Sequence, residues 1–159
     1  MKARKNSLQS FEPNSDSYFR NYAGSGKPYA RVRKDHSYFE EVVAQFQSSG
    51  APRLKNVCVL GAGPGLILDE FQKQFPRWKL SGCEIRRWAH ARIPKRYKNA
   101  VLCHSMQDFL RTAVKKRKKF DLIFSNSLVY LEPAELDSVL KDIFSTTKFF
   151  HFNSSFRVS

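Results

Sequence analysis

Val57-Cys58-Val59-Leu60-Gly61-Ala62-Gly63-Pro64-Gly65 is an apolar run that passes without a break into a glycine-rich turn. The residues that follow, Leu66 to Phe75, carry their apolar side chains at helical spacing. A strand, a turn and a helix in that order predict a backbone that approaches a ligand closely, because glycine accepts positive φ and carries no side chain to block the way. Amides of the turn and of the helix start are expected to point at whatever is bound. A glycine motif alone is weak, but one framed by a strand and a helix is considerably stronger.

Outward from this segment, short apolar runs alternate with amphipathic stretches. Strands are expected over Val57 to Leu60, Leu80 to Ile85, Ala100 to Cys103, Phe120 to Ser125 and Lys148 to Asn153. Helices are expected over Leu66 to Phe75, Arg86 to Ile93, Met106 to Lys116 and Pro133 to Phe144. Pro76 and Pro94 stop the first two, whereas Pro133 stands where a first helical turn accepts proline. Such alternation is the sequence form of an α/β fold with a parallel sheet covered by helices on both faces. Right-handed crossovers put every loop that follows a strand on one edge, and ligands bind there where the strand order reverses. Upstream, Ser37 and Glu40 form a capping-box pattern for a helix towards Ser48, with Phe39, Val42, Val43 and Phe46 on one face. Residues 1–34 are basic and aromatic without periodicity and are read as an arm or lid, leaving 35–159 as the domain.

The glycine spacing discriminates between cofactors. A dinucleotide fold puts its third glycine three residues after the second, where this chain has Leu66. Here the third glycine is Gly65, and G-x-G-x-G fits S-adenosylmethionine better than NAD. Glu84, about 20 residues beyond the turn, tips the apolar run Leu80-Ser81-Gly82-Cys83-Glu84-Ile85, where a carboxylate can accept from both hydroxyls of a ribose.

With these features the sequence resembles the class I S-adenosylmethionine-dependent methyltransferase family over roughly residues 37 to 153. Four segments carry the likeness: VCVLGAGPG, LSGCEI, VLCHSMQDFL and FDLIFSNSLVYLEP. The resemblance implies a Rossmann-like sheet of strand order 3-2-1-4-5. It implies that Gly61, Ala62, Gly63 and Gly65 wrap the methionine end, that Glu84 holds the ribose and that Ile85 lies beside the adenine. Ser105 and Met106, with Gln107 and Asp108, look like the loop that contacts the adenine. Ser125, Asn126 and Ser127 look like the loop that faces the transferable methyl group. The activity implied is methyl transfer, the alternative being an inactive cofactor-binding or interaction module of the same fold. In-line displacement at an activated carbon needs positioning more than a base. Asn126 is the first choice for that task because its amide both accepts and donates, followed by Tyr130 and Asn153. Two departures stand out: Val59 occupies a position that is often acidic, and the usual C-terminal hairpin is expected to be short or missing, with Phe156 to Ser159 alone after the fifth strand. Either a homo-oligomer or partner subunit is expected to cover that strand, or activity has been lost.

Composition bounds the rest. The 159 residues suit one globular domain, with 42% hydrophobic and 14% aromatic residues. No run is long enough for a membrane span and no signal peptide is legible, so a cytoplasmic address is expected. Cys58, Cys83 and Cys103 each sit in an apolar run, match no zinc or redox spacing, and are read as core residues; no disulfide and no metal are expected. The net charge of +14 points either to RNA or DNA or to a solvated surface. Arg86, Arg87, Arg92, Lys95, Arg96 and Lys98 follow the second strand and begin on the ligand side, so they suit phosphate contact. Lys115 to Lys119 fall at the opposite edge and are read as favouring a helix end or solubility. In the arm, aromatics and arginines from Tyr18 to Arg33 could stack on bases, close over the cofactor or pack on the domain. Gly24-Ser25-Gly26-Lys27 is no phosphate loop, because Asn21 stands at the first glycine position and Pro28 replaces the hydroxyl residue. His36, His104 and His151 are read as structural.

Overall fold

Residues 44–48, 53–125 and 127–152 are described by a computed structural model. The arm over 1–34, His36, the start of the Ser37 helix, Asn126 and Asn153 lie outside them. Five strands form one sheet: β1 (Asn56–Leu60), β2 (Lys79–Cys83), β3 (Val101–Leu102), β4 (Phe120–Ser125) and β5 (Thr147–Phe152). The helices between them are α1 (Leu66–Gln74), α2 (Arg87–Arg92), α3 (Met106–Lys115) and α4 (Pro133–Thr146). The strand order is β3-β2-β1-β4-β5 with every pair parallel, as the alternation and the family likeness imply.

Strand alternation splits the core between the two faces. Cys58 and Leu60 of β1 join Phe109, Leu110, Ala113, Val139 and Ile143 beneath α3 and α4. On the other face Phe71 packs edge-on to Phe124 with ring centroids 5.1 Å apart, and Phe46 of the 44–48 helical turn sits 6.0 Å from Phe71. His151 belongs to this second cluster. It stacks on Phe124 at 5.6 Å, and burial lowers its pKa, so it packs as a neutral ring.

Two strands and one helix end elsewhere than expected. β2 stops at Cys83 rather than Ile85, because the Glu84 side chain turns back to bond backbone amides on either side of it. β3 is two residues long, since the amide of His104 turns back to the Leu102 carbonyl at 3.0 Å; Cys103 is therefore exposed and not a core residue. α4 continues two residues past Phe144, and the Thr146 hydroxyl donates to the Asp142 carbonyl at 2.7 Å in its last turn. No helix among the described residues is long and apolar enough to cross a membrane.

Asp121 ties the starts of β1 and β4 together: the amides of Lys55 and Asn56 donate to its Oδ2 at 2.9 and 2.8 Å. Those bonds hold its carboxyl below the ordinary value of 3.8. A depressed folded-state pKa means that the unfolded chain takes up the proton first as the pH falls. The stabilisation is thus present above about pH 4 and lost below it. At a half-buried site screened by solvent it contributes about 1 kcal/mol. Asp121→Asn is expected to lower the neutral-pH Tm by about 2–4 °C and to flatten the fall of Tm below pH 4, as followed by circular dichroism. An unchanged acid limb would assign no such role to Asp121.

Candidate active site

The turn after β1 is held by its own neighbours. Gly61, Gly63 and Gly65 have φ of 74°, 56° and 91°, the left-handed region that a side chain would strain. The amides of Gly61 and Ala62 both donate to the Cys83 carbonyl at 3.0 Å, and that of Gly63 to Glu84 Oε2 at 2.7 Å. The Gly65 amide donates to the Ala62 carbonyl at 3.1 Å, and Pro64 has no N–H. Every amide from 61 to 65 is engaged within the protein, which corrects the expectation that these amides face a ligand. What the turn offers instead is a backbone wall that carries only the side chains of Ala62 and Pro64.

Glu84 stands against that wall. It is only 4% exposed, and it alone among the acidic residues described is buried. Its Oε1 accepts from the Arg86 amide at 2.9 Å while Oε2 accepts from Gly63. The carboxylate therefore spans from the end of β2 to the glycine turn and does not point to solvent. Each oxygen retains a further lone pair, which suits a pair of neighbouring hydroxyls. Ile85 follows with 59% of its surface exposed, an apolar side chain presented beside a buried charge.

The loops after β3 and β4 approach the same turn. A Cβ built on Gly61 would collide with the Ser127 hydroxyl, lie 2.7 Å from Ser127 Cβ and touch Met106 Cε at 3.4 Å. One built on Gly65 would lie 2.9 Å from Pro94 Cδ. Met106 and Ser127 thus reach the turn, and Pro94, a helix stop in the sequence reading, joins them. Ser105 caps α3: its hydroxyl accepts from the Asp108 amide at 3.1 Å and donates to Asp108 Oδ2 at 2.9 Å. Ser125 is fully buried. Its hydroxyl donates to the Leu60 carbonyl at 3.1 Å and accepts from the Ser127 amide at 3.2 Å. Both serines therefore fix loops with their side chains. Tyr130 stands 40% exposed on the short 3-10 turn Leu128–Tyr130, further along the β4 loop. Val59 is buried in the core and contributes nothing to the turn's surface.

The two buried thiols, Cys58 and Cys83, supply no nucleophile. Burial pushes Cys83 up to about 12 and raises Cys58 as well, so neither supplies a thiolate.

The fold is shared with known proteins. The profile of the methyltransferase domain family matches residues 57–148, more than half of the chain. No curated protein matches the sequence. Among solved structures the plantazolicin methyltransferase BpumL in complex with SAH is 19% identical, with a TM-score of 0.57 over 86% of this chain and 50% of that one. A SAM-dependent methyltransferase from Archaeoglobus fulgidus is 18% identical, with a TM-score of 0.56 over 77% of this chain and 54% of that one. The amino pentose methyltransferase CalS10 from Micromonospora echinaspora is 18% identical, with a TM-score of 0.58 over 86% and 54%. The chain spans about half the length of these proteins. A profile match that runs from β1 to the start of β5 leads to one conclusion: the chain belongs to the methyltransferase domain family.

Proposed function

We propose that the chain binds S-adenosylmethionine at the glycine turn and acts as a methyltransferase. The observation that carries this reading is the buried Glu84 carboxylate, bonded to Gly63 and set to accept from a ribose diol. Structural relatives crystallised with SAM or SAH support it. When bound, the cofactor supplies a methyl group on a positively charged sulfur, already activated for displacement. The chain's part is to hold and exclude: Glu84 takes the ribose, Ile85 and Met106 offer apolar contact, and the turn admits the methionine end. Ser127 borders the side from which an acceptor arrives, and Asn126 and Tyr130 remain the proposed positioning residues. The acceptor class we favour is nucleic acid, which the net charge of +14 supports.

The engaged amides of the turn argue in the same direction. A pyrophosphate needs N–H donors, and residues 61 to 65 hold none in reserve, which leaves only the first amides of α1 to serve one. Calorimetric titration is expected to give saturable binding of S-adenosylmethionine and S-adenosylhomocysteine with Kd in the micromolar range, about −8 kcal/mol, and no heat with NAD. Binding of NAD in preference to both sulfur compounds would overturn the reading.

A further inference from the structure

In a parallel sheet every strand begins on one edge, and here that edge collects basic residues far apart in sequence. Arg53 and Lys55 lead into β1, and Arg77 and Lys79 lead into and open β2. The run Lys115 to Lys119 leads into β4, and Lys148 is second in β5. All of these side chains are exposed. Two are pinned in place: Lys119 Nζ donates to the Ser145 carbonyl, and Lys118 Nζ lies 5.0 Å over the Phe120 ring. The acids nearest to them are half-buried. Asp121 is already bonded to the Lys55 and Asn56 amides, and Asp142 lies within α4. Neighbouring strands are about 4.8 Å apart, so the four strand starts set these charges along a rim about 14 Å wide.

We infer that this rim, on the edge opposite the glycine turn, docks the phosphodiester backbone of a nucleic acid. Asp121 offsets part of the charge of Lys55 and Lys148, and the remaining clustered exposed cations release counterions from phosphate, a contact that reads charge rather than sequence. The aromatic residues of the linking segments, Phe75, Trp78 and Phe120, are buried, so among the described residues the rim from β2 to β4 has no stacking platform, and exposed rings occur only at its β5 end beside Lys148. That favours a duplex held by its phosphates over splayed bases. A bilayer is the weaker fit, because an interfacial surface mixes apolar groups among its cations. Here the large exposed rings near the rim, Phe144 and Phe149, lie at its β5 end alone. The inference goes beyond the cofactor reading and stands without it.

The test compares two fourfold variants of equal charge. One removes rim cations with no structural bond of their own, through Lys55→Gln, Lys79→Gln, Lys116→Gln and Lys148→Gln. The other removes cations elsewhere, through Arg87→Gln, Arg92→Gln, Lys95→Gln and Arg111→Gln. Binding of short RNA and DNA duplexes of arbitrary sequence is followed by fluorescence anisotropy against potassium chloride, with the melting midpoint as the check on folding. The rim variant is expected to melt normally and to lose roughly 100-fold in affinity at 0.1 M salt, its salt slope falling by about 0.9 per contact removed. The RNA and DNA arms identify which backbone is preferred. Equal loss in both variants, or none in the rim variant, would overturn the inference. So would sedimentation with phosphatidylserine vesicles that depends on the rim while duplex binding does not. Failure of S-adenosylmethionine to bind leaves these outcomes untouched, so the two readings fail separately.

Discussion

Glu84→Ala is expected to weaken S-adenosylmethionine binding by about 100-fold or more. A hydrogen bond to a charged acceptor contributes about 1.5–3 kcal/mol, and the buried carboxylate is placed to accept two from a ribose. The substitution also leaves the Gly63 and Arg86 amides without their acceptor, so stability falls as well, by about 1–3 kcal/mol. Glu84→Gln separates these effects. Its one carbonyl oxygen can serve only one of the two amides, while its NH2 group faces a donor. It is expected to bind more weakly than the native chain and better than the alanine variant. Calorimetry alongside thermal melting reads both consequences. A Glu84→Ala protein that melts lower but binds with native affinity would reduce Glu84 to a structural brace and sink the proposed cofactor site.

The second large effect lies one strand position from the site. Gly82 pairs with Val59 across the β1–β2 ladder, and a Cβ there would overlap the Val59 carbonyl oxygen and lie 2.9 Å from its carbon. Both are backbone atoms in the middle of the sheet, so no rotamer change relieves the collision. Gly82→Val is expected to cost at least about 4 kcal/mol, beyond ordinary overpacking, and to lower Tm by roughly 8–16 °C or abolish soluble expression. Ser81→Val, the neighbouring position on β2, is the control that keeps the strand and adds the same side chain. A Gly82→Val protein melting within a few degrees of the native chain would mean that the two strands can separate without penalty.

These two residues mark what the sequence reveals and what it hides. Glu84 was legible because a carboxylate at the tip of an apolar strand, about 20 residues past a glycine turn, has few structural reasons to be there. Gly82, two residues earlier in the same run, carried no such signal, since its importance depends on which residue of β1 lies opposite. The strand order and parallel pairing followed from the alternation and the family likeness, yet the ends of β2 and β3 did not. Those ends are set by side-chain and backbone bonds that turn the chain back. The capping role of Ser105 was within reach, since Asp108 stands three residues further on, but the residue was read for its place in the loop. The basic rim was invisible for a different reason: its members span Arg53 to Lys148 in the chain and meet only because parallel strands share a starting edge.

The Ser125 hydroxyl, bridging the last carbonyl of β1 and the amide of Ser127, makes one mechanical piece of two loops. A ligand gripping the glycine turn then restrains Ser127, and a second molecule resting on Ser127 restrains the turn. Their affinities are thermodynamically linked, and the linkage is reciprocal: whatever factor the first lends the second, the second returns.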